Sequence, residues 1–395
     1  MVNSEFEFLD FEDTQTAFGY KSDKDLKRGY WLFRMMNNSS LVTLGSVVTP
    51  LAIKLKLPLV KSALKATIFK QFVGGENLLD TQKVIDLLHQ FDTLTILDYG
   101  AESKTTEEEL DGVVQELVKG LELAAANNSV PVVVTKLTGL ADNALLEKMQ
   151  TTVALSPQEE QEKQKLLSRL SKLSEKAYDL KVSLMIDAEE SWIQDTIDTI
   201  ATDMMAEYNK NRVTVYNTFQ LYRNDKLSYL KASYEKAQEN SYLLGAKLVR
   251  GAYMDKENNY AKRRNISSVI HESKEDTDRD YDRALTFCAE HCEAISSICA
   301  SHNAQSNKLL AHFMEKKGIA RNHPHLSFCQ LYGMSDNLTF NLAKAGYNVA
   351  KYVPYGPINE VVPYLIRRAK ENSSVTNDMS RELRYLLQEL TRRNL

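Results

Sequence analysis

Residues 156–187 read SPQEEQEKQKLLSRLSKLSEKAYDLKVSLMID and predict one helix followed by one strand. Ser156 is a helix-capping residue, and Glu159 stands at the third helical position, which is the capping-box pattern. The apolar residues of the next stretch recur at helical spacing, in a stripe formed by Leu166, Leu170, Leu173 and Ala177. The run 182–187 is short, rich in β-forming residues and ends in Asp187. The stretch therefore predicts an amphipathic helix that leads directly into a buried strand.

The same alternation recurs through the rest of the chain. Eight β-rich runs follow residue 93, at 95–99, 130–136, 182–187, 213–217, 246–249, 295–299, 325–331 and 347–353. Strand then helix, repeated, predicts a parallel sheet of the α/β class, and eight strands are the number that closes a (β/α)8 TIM-like barrel. An open doubly wound sheet would show the same alternation. No Gly-x-Gly-x-x-Gly element follows any run, so a Rossmann dinucleotide site is not expected. Residues 24–91 show helical patterns and no strand.

Composition and charge are those of a globular enzyme. The 395 residues are 43% hydrophobic and 26% charged, which is ordinary for a globular enzyme, and the formal net charge of −4 gives no reason to expect nucleic acid as a partner. The four cysteines are too few for a disulfide framework, and no metal site is expected. No apolar run reaches the length of a membrane span, although segment 41–60 is apolar enough to contact a membrane surface.

Polar residues concentrate where the predicted strands end. In a barrel the active site gathers at the carboxyl ends of the strands, so these residues are the candidates for chemistry. Polar groups at that position are hard to explain by packing, because each would need a buried partner. The candidates are Lys136, Asp187, Asn217, the run 247–253, Ser301, His302, Asn303 and the run 352–356.

The last predicted unit, residues 352–372, reads YVPYGPINEVVPYLIRRAKEN. On its helix Arg367 and Glu371 are four residues apart and Arg368 and Glu371 are three apart, so one carboxylate can brace both guanidinium groups. Two arginines held in this way form a rigid fork that suits a substrate carboxylate. Taken alone, an Arg-Arg pair on a helix is more often a solvated surface pair.

Six motifs in this order resemble the proline dehydrogenase family in its monofunctional, eukaryote-like form, over roughly residues 60–375. They are Ile-Leu-Asp-Tyr-Gly at 96–100, Ile-Asp-Ala-Glu at 186–189, Lys-Leu-Val-Arg-Gly-Ala-Tyr-Met at 247–254, Ser-His-Asn at 301–303, Gln-Leu-Tyr-Gly-Met at 330–334, and the unit 352–372. The resemblance implies a distorted (β/α)8 barrel that binds FAD across its strand ends, with the last barrel helix above the barrel. The expected parts are an N-terminal helical arm at 1–92, the barrel at 93–375 and a C-terminal helical tail at 376–395.

The resemblance also implies a substrate pocket. Arg367 and Arg368 are expected to bind the carboxylate of L-proline, with Lys136 adding positive charge and Asp187 holding these cations in place. Tyr352 is expected to pack on the pyrrolidine ring where a ring hydroxyl would go, and Leu248 and Leu331 to complete the pocket. Both leucines are almost as well explained as plain core.

For the flavin, the resemblance implies contacts from a second set of residues. Glu371 is expected to approach the flavin side chain, and Gly251 to let the backbone come close to the cofactor. Lys247 stands where bacterial bifunctional relatives usually have Arg. The full implied set is Asn217, Lys247, Arg250, Gly251, Ala252, Ser301, His302, Asn303 and Glu371.

The expected reaction is oxidation of L-proline to Δ1-pyrroline-5-carboxylate by hydride transfer to flavin N5, the first step of proline catabolism, with a quinone as electron acceptor. Segment 41–60 is the expected site of peripheral membrane contact. The expected location is the bacterial cytoplasm beside the inner membrane, with the mitochondrial matrix as the alternative. Two other functions stay open on the residues alone: a lyase with Lys136 as a Schiff-base lysine, and a catalytically silent binding barrel.

Overall fold

The computed structural model describes residues 9–54, 59–100, 104–373 and 380–395. The chain forms two compact units, which are described separately below. The first, here called the terminal unit, comprises Met1–Gly100 and Gln330–Leu395. The second, the central unit, comprises Ala101–Cys329.

Eight strands form a closed barrel in the order of the sequence. Neighbouring strands pair in parallel, as in the registers that place Leu94 beside Ala350 and Val132 beside Ser183. The predicted (β/α)8 barrel is therefore confirmed, and the open doubly wound sheet is wrong. The strands are β1 Leu94–Tyr99, β2 Val132–Thr135, β3 Ser183–Ile186, β4 Val215–Gln220, β5 Leu244–Val249, β6 Ile295–Ala300, β7 Leu326–Leu331 and β8 Val349–Tyr355.

The central unit contains β2 to β7 and the helices that connect them. In helix α9, Pro157–Leu180, Ser156 and Glu159 form both hydrogen bonds of the capping box, and Leu166, Leu170 and Leu173 are buried. The sequence predicted this helix correctly because the cap and the apolar stripe are both local signals. The helices of the unit are α7 Glu107–Ala125, α8 Asn143–Met149, α9 Pro157–Leu180, α10 Ser191–Tyr208, α11 Lys226–Glu239, α12 Met254–Arg264, α13 Lys274–Glu290 and α14 Ala304–Lys317.

The terminal unit contains β1, β8 and the helices of both chain ends. The N-terminal helices are α1 Thr14–Phe18, α2 Asp23–Met36, α3 Ser39–Lys54, α4 Val60–Leu64, α5 Lys70–Phe72 and α6 Leu78–His89, with a π-helical stretch Lys65–Phe69 between α4 and α5. The C-terminal helices are α15 Asp336–Lys344, α16 Ile358–Ser373 and α17 Arg381–Arg392. Arm and C-terminal helices share one apolar core, in which Phe33, Phe72, Val361, Leu365 and Leu386 are buried together.

Strands β4 and β8 extend furthest past their predicted ends. β4 runs to Gln220, so Asn217, its predicted last residue, lies inside the strand, and β8 runs to Tyr355, beyond the predicted end at Val353. Every residue of both strands is buried. A polar residue does not end a strand that is buried on both faces if its side chain finds a hydrogen-bond partner. Asn217 has such a partner, because its side-chain amide donates to the carboxylate of Asp198 at 2.9 Å.

Candidate active site

The carboxyl ends of β2, β3 and β5 bring three predicted residues together in the central unit. Asp187 follows β3, and its Oδ1 accepts a hydrogen bond from Nζ of Lys247 at 2.6 Å. Its Oδ2 lies 3.7 Å from Nζ of Lys136, which follows β2. All three side chains are buried. A buried carboxylate between two ammonium groups holds both cations in place. Lys136 is a partner that was predicted for Asp187, whereas Lys247 was predicted only as a flavin contact.

Glu189 is a buried acid within the motif at 186–189, and no role was predicted for it from the sequence. Its carboxylate accepts hydrogen bonds from the backbone N–H of Thr138 at 3.1 Å and from the Thr138 hydroxyl at 2.5 Å. Burial raises the pKa of Glu189 to about 7, although the Thr138 hydrogen bonds and the charge of Lys136 act in the opposite direction. With this pKa the protonated and the ionised form of Glu189, two residues from Asp187, are both populated near neutral pH.

Arg250 lies just beyond β5 and is fixed by three partners. Its Nε contacts Asp278 at 2.7 Å, its Nη1 contacts the Ser301 hydroxyl at 2.7 Å, and its Nη2 contacts the Ser306 hydroxyl at 3.0 Å. The guanidinium also lies over the ring of Tyr281, 4.3 Å from its centre. The pKa of Asp278 is lowered: burial acts to raise it, but the hydrogen bonds and charges of Lys274 and Arg250 prevail. The result is a preorganised cation beside the β6 strand end.

Gly251 is required by the protein itself. Its φ is +138°, and a Cβ atom at this position would come within 2.4 Å of the Tyr222 ring. A side chain here would therefore meet both backbone strain and a steric clash. The reason predicted from the sequence was close approach of the backbone to a cofactor; packing against Tyr222 is sufficient to require glycine. Ala252, which follows, is exposed.

The remaining predicted flavin residues of the central unit lie in β4 and in the turn after β6. Asn303 caps α14 and accepts hydrogen bonds from the backbone N–H groups of Gln305 at 2.8 Å and Ser306 at 3.4 Å. Ser301 and His302 precede it in the same turn. Backbone N–H groups at a helix N-terminus favour an anion such as a phosphate. Leu248 is fully buried, which agrees with its reading as core.

Gln220 is a candidate that sequence reasoning missed. It ends β4, and its amide donates to the backbone carbonyl of Glu189 at 2.9 Å. Within the described residues, the buried Oε1 of Gln220 has no hydrogen-bond partner. A buried amide oxygen at a strand end suits the N–H edge of a planar ligand. The signal was available as the polar residue that ends the run 213–220, but the strand was predicted to end at Asn217.

In the terminal unit, α16 carries the predicted arginine pair. Nη2 of Arg368 lies 2.5 Å from Oε1 of Glu371, and the guanidinium lies 5.1 Å from the centre of the Tyr364 ring. Arg368 is 6% exposed, and across the described ranges its Nε has no hydrogen-bond partner. Arg367 acts on Glu371 through its charge, which together with that of Arg368 opposes the rise that burial causes in the pKa of Glu371. The predicted brace by Glu371 is thus present for Arg368.

Tyr352 and Leu331 lie at the β8 and β7 positions of the same unit. Tyr352 is 6% exposed, and its backbone carbonyl accepts a hydrogen bond from the N–H of Tyr332 at 2.9 Å. Leu331 ends β7 and packs against the apolar core of the terminal unit. Asp98, from the first motif, is buried near the end of β1. The unit therefore offers an aromatic side chain, an apolar side chain and a cation near the ends of its strands and on α16.

Comparison with known proteins identifies the family of this chain. The Proline dehydrogenase family model matches residues 81–381. The chain belongs to the proline dehydrogenase family. The carbapenem antibiotics biosynthesis protein CarD of Pectobacterium carotovorum subsp. carotovorum is 32% identical over 82% of this chain and 83% of its own length. The mitochondrial proline dehydrogenase 1 of Dictyostelium discoideum is 30% identical over 84% of this chain and 65% of its own length.

Solved structures support the fold of this proline dehydrogenase family member. Proline utilization A (PutA) from Bdellovibrio bacteriovorus, crystallised after inactivation by N-propargylglycine, aligns with a TM-score of 0.74 at 20% identity over 96% of this chain. This chain covers 44% of that protein. The predicted family and the predicted barrel are both confirmed. Among the described residues, no helix has the length and the apolar character needed to cross a bilayer.

Proposed function

We propose that this protein oxidises L-proline to Δ1-pyrroline-5-carboxylate, the first step of proline catabolism. The observation that carries the proposal is Arg368, a buried guanidinium braced by Glu371 whose Nε lacks a hydrogen-bond partner among the described residues. Such a group is stable in a binding site when an anion completes its hydrogen bonds. Family membership supports the imino acid as the source of that anion.

In this proposal Arg367 and Arg368 bind the carboxylate of proline, and Lys136 adds positive charge. Asp187 keeps Lys136 and Lys247 in position through its contacts at 3.7 and 2.6 Å. Tyr352 packs on the pyrrolidine ring and fills the space of a ring hydroxyl, so that proline is preferred over 4-hydroxyproline. Leu248 and Leu331 complete the apolar wall.

The cofactor we propose is FAD, which when bound supplies N5 as the hydride acceptor. Arg250, already held by Asp278 and Ser301, suits its pyrophosphate, and so does the N-terminus of α14 behind Asn303. The buried Oε1 of Gln220 suits the polar edge of the isoalloxazine. Asn217, Lys247, Gly251, Ala252, Ser301, His302 and Glu371 remain predicted contacts.

The ion pair of Lys136 also bears on the Schiff-base alternative. Contact with the buried carboxylate of Asp187 favours the charged ammonium, which is not a nucleophile. This contact favours proline oxidation over the lyase reaction. The concentration of polar groups at the strand ends favours an enzyme over a catalytically silent binding barrel.

For electron transfer we propose a quinone, reached through peripheral contact of segment 41–60 with a membrane. The location we propose is the bacterial cytoplasm beside the inner membrane; the name of the Dictyostelium relative favours the mitochondrial matrix as the alternative. Deleting segment 41–60 is expected to weaken activity with membrane vesicles and to spare activity with a soluble dye. Equal loss of both activities would remove the segment from the proposal.

The decisive experiment is the visible spectrum of the purified protein before and after anaerobic addition of L-proline. We expect a flavin absorbance band that L-proline bleaches and D-proline, as the control, leaves intact. A colourless protein that does not take up FAD would refute the proposal. A colourless protein that borohydride traps with a keto acid would instead establish the lyase.

A further inference from the structure

An open groove of about 340 Å³ lies in the terminal unit between α2, α3, α4 and α16. Its walls are mainly apolar, and they include Leu32, Met36, Val42, Gly45, Leu365 and Ile366. The volume is at the lower end of the roughly 300–1,000 Å³ of small-molecule sites. A groove of this character suits a narrow apolar ligand. Neither the arginine pair nor the predicted flavin residues line it.

The groove lies in a region with an unusual charge. From residue 26 to residue 75 the chain has eight lysines and arginines and no aspartate or glutamate, although the whole chain has a formal net charge of −4. The eight are Lys27, Arg28, Arg34, Lys54, Lys56, Lys61, Lys65 and Lys70. A basic segment of this kind is attracted to an anionic bilayer.

Helix α3 forms one wall of the groove and also exposes an apolar stripe that begins at Leu41, a residue of the groove lining. Leu41, Leu44, Val48 and Leu51 recur at helical spacing, and each side chain is about half exposed, at 53%, 62%, 48% and 55% in that order. An apolar stripe beside basic residues is the pattern of a helix that lies in the plane of a membrane interface. Because the stripe and the groove share helix α3, a bilayer that covered the stripe would also border the groove.

We propose that this groove binds the apolar tail of a quinone that enters from an anionic membrane surface. The proposal rests on the proposed function. The stoichiometry balances. Proline loses two electrons and two protons as a ring C–H bond and an N–H bond break and a C=N bond forms, and the quinone takes up two electrons and two protons and becomes the quinol. The groove binds the tail on the face of α16 formed by Val362, Leu365, Ile366 and Ala369, while Arg368 lies on the same helix.

Gly45 offers a specific test because it lines the groove. Among the described residues, nothing lies within 4 Å of a Cβ built at Gly45, so a larger side chain occupies the groove without a clash. Gly112 in α7 is the matched control, since it is also a helical glycine with nothing described within 4 Å. Replacing either glycine by leucine raises helix propensity by a similar amount.

The first measurement is binding of decylubiquinone by equilibrium dialysis, on the full chain with its flavin and without membranes. We expect Gly45→Leu to weaken binding at least tenfold and Gly112→Leu to leave it unchanged. Both variants should keep the bleaching by L-proline and the dye-linked rate. Unchanged binding in Gly45→Leu would overturn the assignment of the groove, whereas a failure of L-proline to bleach the protein would refute the proposed function and not the groove.

The second measurement is sedimentation with vesicles of phosphatidylglycerol and phosphatidylcholine. The variant Leu44→Glu with Val48→Glu changes only exposed positions, and we expect it to lose vesicle binding while its binding of dissolved decylubiquinone stays intact. Three results would overturn the quinone assignment. The first is that the protein binds lysophosphatidylglycerol but not decylubiquinone. The second is that the unmodified protein is a dimer that the double variant dissociates. The third is that the protein sediments equally with anionic vesicles and with vesicles of phosphatidylcholine alone.

Discussion

Replacing Arg368 by lysine isolates the geometry of the proposed carboxylate site from its charge. In the structure the Arg368 guanidinium uses Nη2 for Glu371 at 2.5 Å and lies over Tyr364, while Nε is buried without a partner among the described residues. Lysine keeps the positive charge, but it has one nitrogen and cannot contact Glu371 and the substrate carboxylate as a planar fork. The substitution therefore removes one charge-assisted hydrogen bond and little else.

A hydrogen bond to a charged group contributes about 1.5–3 kcal/mol. Since about 1.4 kcal/mol corresponds to a factor of ten, the apparent KM for L-proline is expected to rise by roughly 10- to 150-fold. The flavin content is expected to stay near that of the unmodified protein, because the lost contact belongs to the substrate. If the contact strengthens in the transition state, kcat falls as well.

The assay is steady-state oxidation of L-proline with a soluble dye acceptor, together with the flavin-to-protein absorbance ratio. Arg384→Lys is the matched control: Arg384 also lies over a tyrosine, Tyr385 at 4.5 Å, and contacts a carboxylate, Glu12 at 3.4 Å, but its side chain is 50% exposed. We expect the control to change KM less than twofold. An unchanged KM in Arg368→Lys, or a parallel loss of flavin, would remove Arg368 from the substrate site.

Three further predictions concern Glu189, Gly251 and Asp336. Because burial raises the pKa of Glu189 from 4.5 to about 7, ionising it in the folded state opposes folding as pH rises through that range. Between pH 4.5 and pH 7 the free energy of unfolding of the Glu189→Gln variant, measured by urea titration, should therefore rise by about 3 kcal/mol relative to that of the unmodified protein. Identical pH profiles of the two proteins would contradict this. Gly251→Ala should lower the free energy of unfolding by about 1–3 kcal/mol or more, because residue 251 has a φ of +138° and a Cβ there would clash with Tyr222. A free energy of unfolding equal to that of the unmodified protein would contradict this. Asp336→Asn leaves the buried Lys351, 2.8 Å from Asp336, without its counter-charge, and should cost about 3–5 kcal/mol in chemical denaturation; a loss below about 1 kcal/mol would show that the pair is dispensable.

The sequence by itself determined the elements and their order. The capping box at Ser156 and Glu159, the stripe that follows it and the β-rich runs are local patterns, so the helix and the approximate strand positions could be read directly. The order of strands and helices then limited the fold to two arrangements. Strand ends were less certain: β4 and β8 each extend past the predicted end because buried parallel strands tolerate polar residues that are hydrogen-bonded.

Only the tertiary structure decided which charged residues meet. Lys136, Asp187 and Lys247 are far apart in the chain, and no local pattern says that one carboxylate contacts both lysines. The same holds for the raised pKa of Glu189, since burial is a property of the packed protein. Gly251 illustrates the difference: the sequence predicted that glycine is needed, but the reason, a tyrosine ring against its backbone, depends on a contact between distant residues. Local patterns follow from neighbouring residues, whereas distances and desolvation arise only when the chain folds.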